Sequence, residues 1–208
     1  MGTTTNNGWP TPVATDLVKD GWEAIKDLGD AIDTTLGVYT PSTPGLTLIN
    51  TTSFSAVASQ SINDVFSATY DGYRVVCDLT GSTALATSFR FRVSGADNST
   101  ANYQRQSIFN SDATTVSAFR TASGTSWSLV TVNASPIRSN FVIDFTSNPF
   151  ASIRKGATSS ACDSYSSTTP GLVLASFGFN DTTSFTGFSI IASTGNITGS
   201  IYTYGFNT

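Results

Sequence analysis

Histidine is absent from all 208 residues, glutamate occurs once, at Glu23, and cysteine only at Cys77 and Cys162. Without histidine the chain lacks the usual general base for a serine or cysteine nucleophile and the commonest ligand of a transition metal. A glycosidase would have to use two aspartates, because Glu23 lies in a helical stretch. Asp71, Asp78, Asp144, Asp163 and Asp181 are available. Asp71 and Asp181 read as turn residues, however, and Asp78 and Asp144 as outward positions in the middle of strands. No glycine-rich phosphate loop, cysteine cluster or calcium-loop spacing is present. The sequence therefore assigns no catalytic residue, no metal ligand and no cofactor.

Charge is also scarce, at 12% of residues, and it is unevenly placed. Residues 1–40 hold six acids against Lys19 and Lys26, which is the whole net charge of -4, since the remaining eight aspartates meet seven arginines and Lys155. A neutral remainder offers no basic surface for nucleic acid. No apolar run approaches the roughly 18 residues of a membrane span, and no charged-then-apolar start resembles a signal peptide. Cys77 and Cys162 stand in unrelated contexts, so buried free thiols are expected, and a disulfide would need a geometry that spacing does not supply.

What is present divides in two. Residues 1–14, MGTTTNNGWPTPVA, are polar and proline-broken, an extended arm with Trp9, Pro10 and Pro12 as its one bulky anchor. Residues 15–37, TDLVKDGWEAIKDLGDAIDTTLG, are the only helical stretch: Val18, Ile25 and Ile32 fall seven apart, with Gly21 and Leu28 offset by three and Trp22 alongside. Lys19 with Glu23 and Lys26 with Asp30 are opposite charges four apart on the outer side. About 20 residues with one thin apolar stripe make a marginal helix in water, so the stripe needs a partner. Either it packs on its own chain or it meets copies of itself, as in a parallel coiled bundle.

After a linker at 38–45, residues 46–208 change period. Phe89, Phe91 and Val93 alternate with Arg90, Arg92 and Ser94, and Tyr73, Val75, Cys77 and Leu79 alternate with polar neighbours. Further strands are expected at 103–109, 116–121, 126–132, 141–145, 150–154, 172–179, 185–191 and 200–206. Many short strands and no helix mean a mainly β, antiparallel, jelly-roll-like sandwich. Most aromatics fall at inward positions. Trp127, Tyr103 and Tyr165, with Tyr202 and Tyr204, are the exceptions able to stack on a sugar ring while donating a hydrogen bond.

The run TDLVKDGWEAIKDLGDAIDTTLG resembles the short collar helix of bacteriophage fibre and minor tail proteins. The segments LTLINTTSFSAVASQSINDVFSATYDGYRVVCDL and FTGFSIIASTGNITGSIYTYGF resemble the opening and closing strands of the β-sandwich heads such proteins carry. That resemblance implies a virion surface appendage, not an enzyme: an arm with Trp9, Pro10 and Pro12 on another virion protein, and a homotrimer seam from Val18, Gly21, Trp22, Ile25, Leu28 and Ile32. The heads would meet host cell-surface polysaccharide through loops around Trp127, Tyr103 or Tyr165. The rivals are a capsid head fibre or decoration protein, and a monomeric carbohydrate-binding module or adhesin.

Overall fold

The computed structural model describes residues 2–5, 8–11, 13, 21–38, 45–110, 115–166 and 169–207. The chain forms two compact units, Met1–Thr43 and Pro44–Thr208.

In the first unit the arm is not simply extended. Strand β1 (Gly2–Thr3) pairs antiparallel with β2 (Pro10–Thr11), Gly2 opposite Thr11. Thr4 closes this small hairpin: its carbonyl accepts from Gly8 N–H at 3.1 Å, and its hydroxyl from Trp9 N–H at 2.9 Å. Gly8 turns the chain at φ 63°, a conformation glycine adopts without steric cost. Helix α1 is described from Gly21 to Val38; Pro12, Val18, Lys19 and most of the 38–45 linker lie outside the described residues. Strand β2 packs on α1, and Trp9 Nε1 donates to Thr35 Oγ1 at 3.1 Å. Thr35 in turn donates to Ala31 O at 2.8 Å, so its hydroxyl ties the arm to the helix backbone. Lys26 and Asp30 form the expected ion pair one turn apart. Both are well exposed, so solvent screens the pair and it adds little to stability.

The second unit is all strand: β3 (Thr47–Val57), β4 (Ser59–Ile62), β5 (Gly72–Gly81), β6 (Leu85–Val93), β7 (Ala96–Asp97), β8 (Tyr103–Asn110), β9 (Val116–Gly124), β10 (Trp127–Val132), β11 (Ser139–Phe145), β12 (Lys155–Ser166), β13 (Thr169–Phe179), β14 (Gly187–Ala192) and β15 (Ile197–Phe206). One antiparallel sheet runs β3-β15-β5-β11-β12-β13-β8-β9; the other runs β10-β6-β14-β4, with β7 added to β6. The two inner faces share one hydrophobic core, which makes the unit a β-sandwich.

Alternation explains who enters that core. Tyr73, Val75, Cys77 and Leu79 of β5, Phe141, Ile143 and Phe145 of β11, and Phe89 and Phe91 of β6 are fully or almost fully buried. Rings interlock across the layers: Phe91 lies 5.4 Å from Phe179 between centroids, and Phe89 lies 5.7 Å from Phe145. Cys77 is a buried free thiol; the Cys162 side chain is outside those described.

Residues 150–154, expected as a strand, instead form a loop, because the Asn148 side chain turns the chain by accepting from Phe150 N–H at 2.8 Å. Lys155 then locks the loop, donating to Ala151 O at 2.5 Å and also to Ile153 O. The strand comes directly afterwards, as β12.

Candidate functional site

Three aromatics bear on the expected sugar contacts, and the structure corrects two of them. Trp127 is fully buried, with Phe89 stacked on it at 5.1 Å and Phe177 at 4.9 Å between centroids. These rings come from opposite sheets, and the indole N–H donates to Gly178 O at 2.9 Å. No ring face is left for a sugar. Tyr103 is equally closed: its hydroxyl accepts from Phe91 N–H at 2.9 Å and donates to Asn98 O at 2.8 Å. A large amphipathic ring that can satisfy its one polar atom internally belongs inside a sandwich as readily as outside. The Tyr165 side chain lies outside those described.

Tyr202 and Tyr204 are different. On β15 they alternate with buried Ile201 and Thr203, which places them on the outer face of the eight-stranded sheet. Register sets their neighbours. Tyr204 pairs with Arg74, Arg74 with Asp144, Asp144 with Thr158, Thr158 with Ser176, Ser176 with Gln106 and Gln106 with Arg120. One polar row therefore crosses seven strands from a tyrosine to an arginine. The adjacent row, Tyr202, Val76, Val142, Ser160, Leu174 and Ile108, is more apolar.

Side-chain size shapes this face. Thr158, Ser160 and Ser176 are short, while Asp144, Gln106, Ile108 and Leu174 stand around them, leaving a trough of about 450 Å³. At one wall Arg74 grips Asp144 with two bonds, Nε to Oδ1 at 2.6 Å and Nη2 to Oδ2 at 3.0 Å. That hydrogen bonding raises the Arg74 pKa and keeps the guanidinium firmly charged. Hydroxyls, an amide and a fixed ion pair beside exposed Leu174 and Ile108 suit an extended ligand carrying both hydroxyl groups and C–H faces.

Three of the aspartates considered for hydrolysis, Asp78, Asp144 and Asp181, are engaged otherwise, and the Asp163 side chain lies outside those described. Asp144 is held by Arg74, and Asp78 pairs with Arg138. Asp181 accepts from the backbone N–H of Thr183 at 2.9 Å and from its hydroxyl at 2.8 Å, which hold its carboxyl below the usual range, opposite to what a general acid needs. Among the described residues no three Asp, Glu or Cys side chains gather into a metal-holding cluster.

The expected oligomer seam is split by the structure. Ala24 is buried, and Gly21, Leu28, Ala31 and Ile32 are half-buried. Trp22 and Ile25, by contrast, are 65% and 68% exposed. The helix thus presents a wider apolar arc than the heptad suggested, and part of that arc is in water.

No protein-family model, no curated protein and no solved structure matches the chain.

Proposed function

We propose that this is a non-enzymatic bacteriophage virion protein, a short trimeric fibre whose sandwich heads contact the host cell surface and its polysaccharide. The observation that carries the reading is the bare half of α1: a helix in a unit of its own, with Trp22 and Ile25 about two-thirds exposed. Burying side chains of this size recovers roughly 1.5–3 kcal/mol each, and identical helices offer the complementary stripe. The arm segment that carries Trp9, Pro10 and Pro12 attaches the unit to another virion protein.

Three heads on one stalk suit weak sugar contacts, because joint engagement raises avidity without improving any single site. The trough walled by Asp144, with Tyr202 and Tyr204 two strands beyond it on the same face, is the surface assigned to that contact. Gold-labelled antibodies against the full chain test the assignment on negatively stained virions. Label on the tail is the expected result, label on the capsid supports a head fibre or decoration protein, and unlabelled particles overturn a virion role.

A further inference from the structure

The eight-stranded sheet is wider than its partner. Its inner face therefore continues past β10, the edge strand of the smaller sheet, and one side chain shows this directly. Phe119 pairs with Ser107, which points inward and is buried, yet Phe119 itself is 47% exposed because no second layer covers it. Between this overhang and β10 lies a cavity of about 270 Å³, lined by Phe109, Phe119 and Leu129 together with the hydroxyl-bearing Ser128 and Thr131.

Arg105 also lines this step, on the inward phase of β8. Its guanidinium carbon sits 5.3 Å from the Phe119 ring centroid. One Nη2 contact reaches Leu129 O at 3.4 Å, and its Nε is buried with no hydrogen-bond partner. Arg74 and Arg92, also partly withdrawn from water, are each matched by a carboxylate, Asp144 and Asp97, whereas half-buried Arg90 donates to Thr125 O at 3.1 Å. At Arg105 burial lowers the pKa, and no acid among the described residues offsets it. An unpaired charge set among apolar groups is costly, and its cost is relieved when an anion arrives.

We infer that the step between β9 and β10 binds an acidic saccharide, the carboxylate of a uronic or sialic acid meeting the Arg105 guanidinium and the C–H face of the ring lying against Phe119. Ser128 and Thr131 supply hydroxyl partners on the β10 side. The mixture of one cation, one exposed ring and two hydroxyls within a cavity of monosaccharide scale favours a charged sugar over a purely apolar ligand. The inference rests on the host-polysaccharide reading above and adds a site apart from the trough.

The test is isothermal titration of the full chain with digalacturonate and 3′-sialyllactose, each beside its neutral counterpart, α1,4-digalactose and lactose. At least one acidic sugar should bind more tightly than its neutral form and weaken as salt is added. Arg105→Gln should lower that affinity about tenfold or more, the value of a lost charged hydrogen bond. Phe119→Ser, at an exposed position that leaves the core intact, should weaken it as well, and melting curves verify that both variants are folded. Equal binding of acidic and neutral sugars, no acidic binding, unchanged affinity in both folded variants, or stronger competition by a glutamate-rich peptide would overturn the proposal. Binding of neutral sugars alone, lost on Ser176→Trp in the trough, would overturn this site while leaving the host-polysaccharide reading in place.

Discussion

The helical unit and the sandwich treat large apolar side chains in opposite ways. In the sandwich, Trp127, Phe89, Phe91, Phe145 and Phe188 are fully buried, and the rings touch one another across both sheets. In α1, Ala24 is buried while Trp22 and Ile25 lie open. Two sheets can close a core by themselves, since each covers the other's inner face. One helix with a four-residue hairpin ladder has too little surface to cover its own apolar arc. The sandwich thus covers its own core, whereas on the proposed reading the helical unit is completed by a second molecule.

Three substitutions or conditions sharpen that contrast within the sandwich. The largest effect is expected from Phe91→Ala, which removes a ring in contact with Phe89, Tyr103, Trp127 and Phe185. Urea unfolding should show the head losing about 3–5 kcal/mol, with the assembly state unchanged. A change in assembly would mean that the two units are not energetically independent.

Arg92→Met comes next. Arg92 pairs with Asp97 and donates to Asn63 Oδ1 at 2.9 Å and Ser189 Oγ at 3.1 Å, with side-chain exposure of 12% against 24% for Asp97. Removing the cation leaves the carboxylate with the Ser189 hydroxyl, which donates to it at 2.7 Å, and no counter-charge, at a cost of about 2 kcal/mol after allowance for partial exposure. Asp97→Asn combined with Arg92→Met should recover part of the loss, and a double-mutant cycle reads the coupling.

The smallest effect is alkaline. Burial raises the pKa of the Cys77 thiol and of the Tyr103 phenol, so both stay protonated in the fold while the unfolded chain ionises. Their contribution is intact below the unfolded thiol value of about 8.5 and is lost as pH rises, first through the thiol and then, near 10, through the phenol. Lys155 works against this: burial lowers its pKa, so its share of stability grows with pH up to about 10.4. The melting temperature should fall between pH 8 and pH 10, and it should fall less in Cys77→Ala. Equal slopes would show that Cys77 is not the group responsible.

Alternation made the sandwich legible. Phe89 and Phe91 against Arg90 and Arg92 indicated a strand with one buried side, and β6 has that pattern. Strand β12 escaped because its inward residues, Ala157, Ser159 and Ala161, are small and carry no apolar signal. They are small where β10, which carries Trp127, comes near β12. A bulky indole in one layer is accommodated by short side chains in the other, a relation between residues 30 apart that no local pattern reveals. Trp127 misled for a related reason: it falls in an expected strand, 126–132, but the small partners that enclose it lie on β12, out of reach of any local pattern.

The trough was hidden for a different reason. Asp144, Thr158, Ser176 and Gln106 are ordinary surface residues on four strands, and only register aligns them. Arg105 did leave a trace: in the strand Tyr103 to Phe109 it falls on the inward phase, between buried Tyr103 and Ser107. A cation in the core-facing register of a strand is either paired or awaiting a ligand.

The direct trial of the account is multi-angle light scattering of the full chain, wild type and Ile25→Asp, run side by side. A wild-type mass three times the 21.8 kDa of one chain, falling to a single chain in the variant while the β-sheet circular dichroism is kept, is the predicted result. A wild-type protein that runs as one well-folded chain would contradict it.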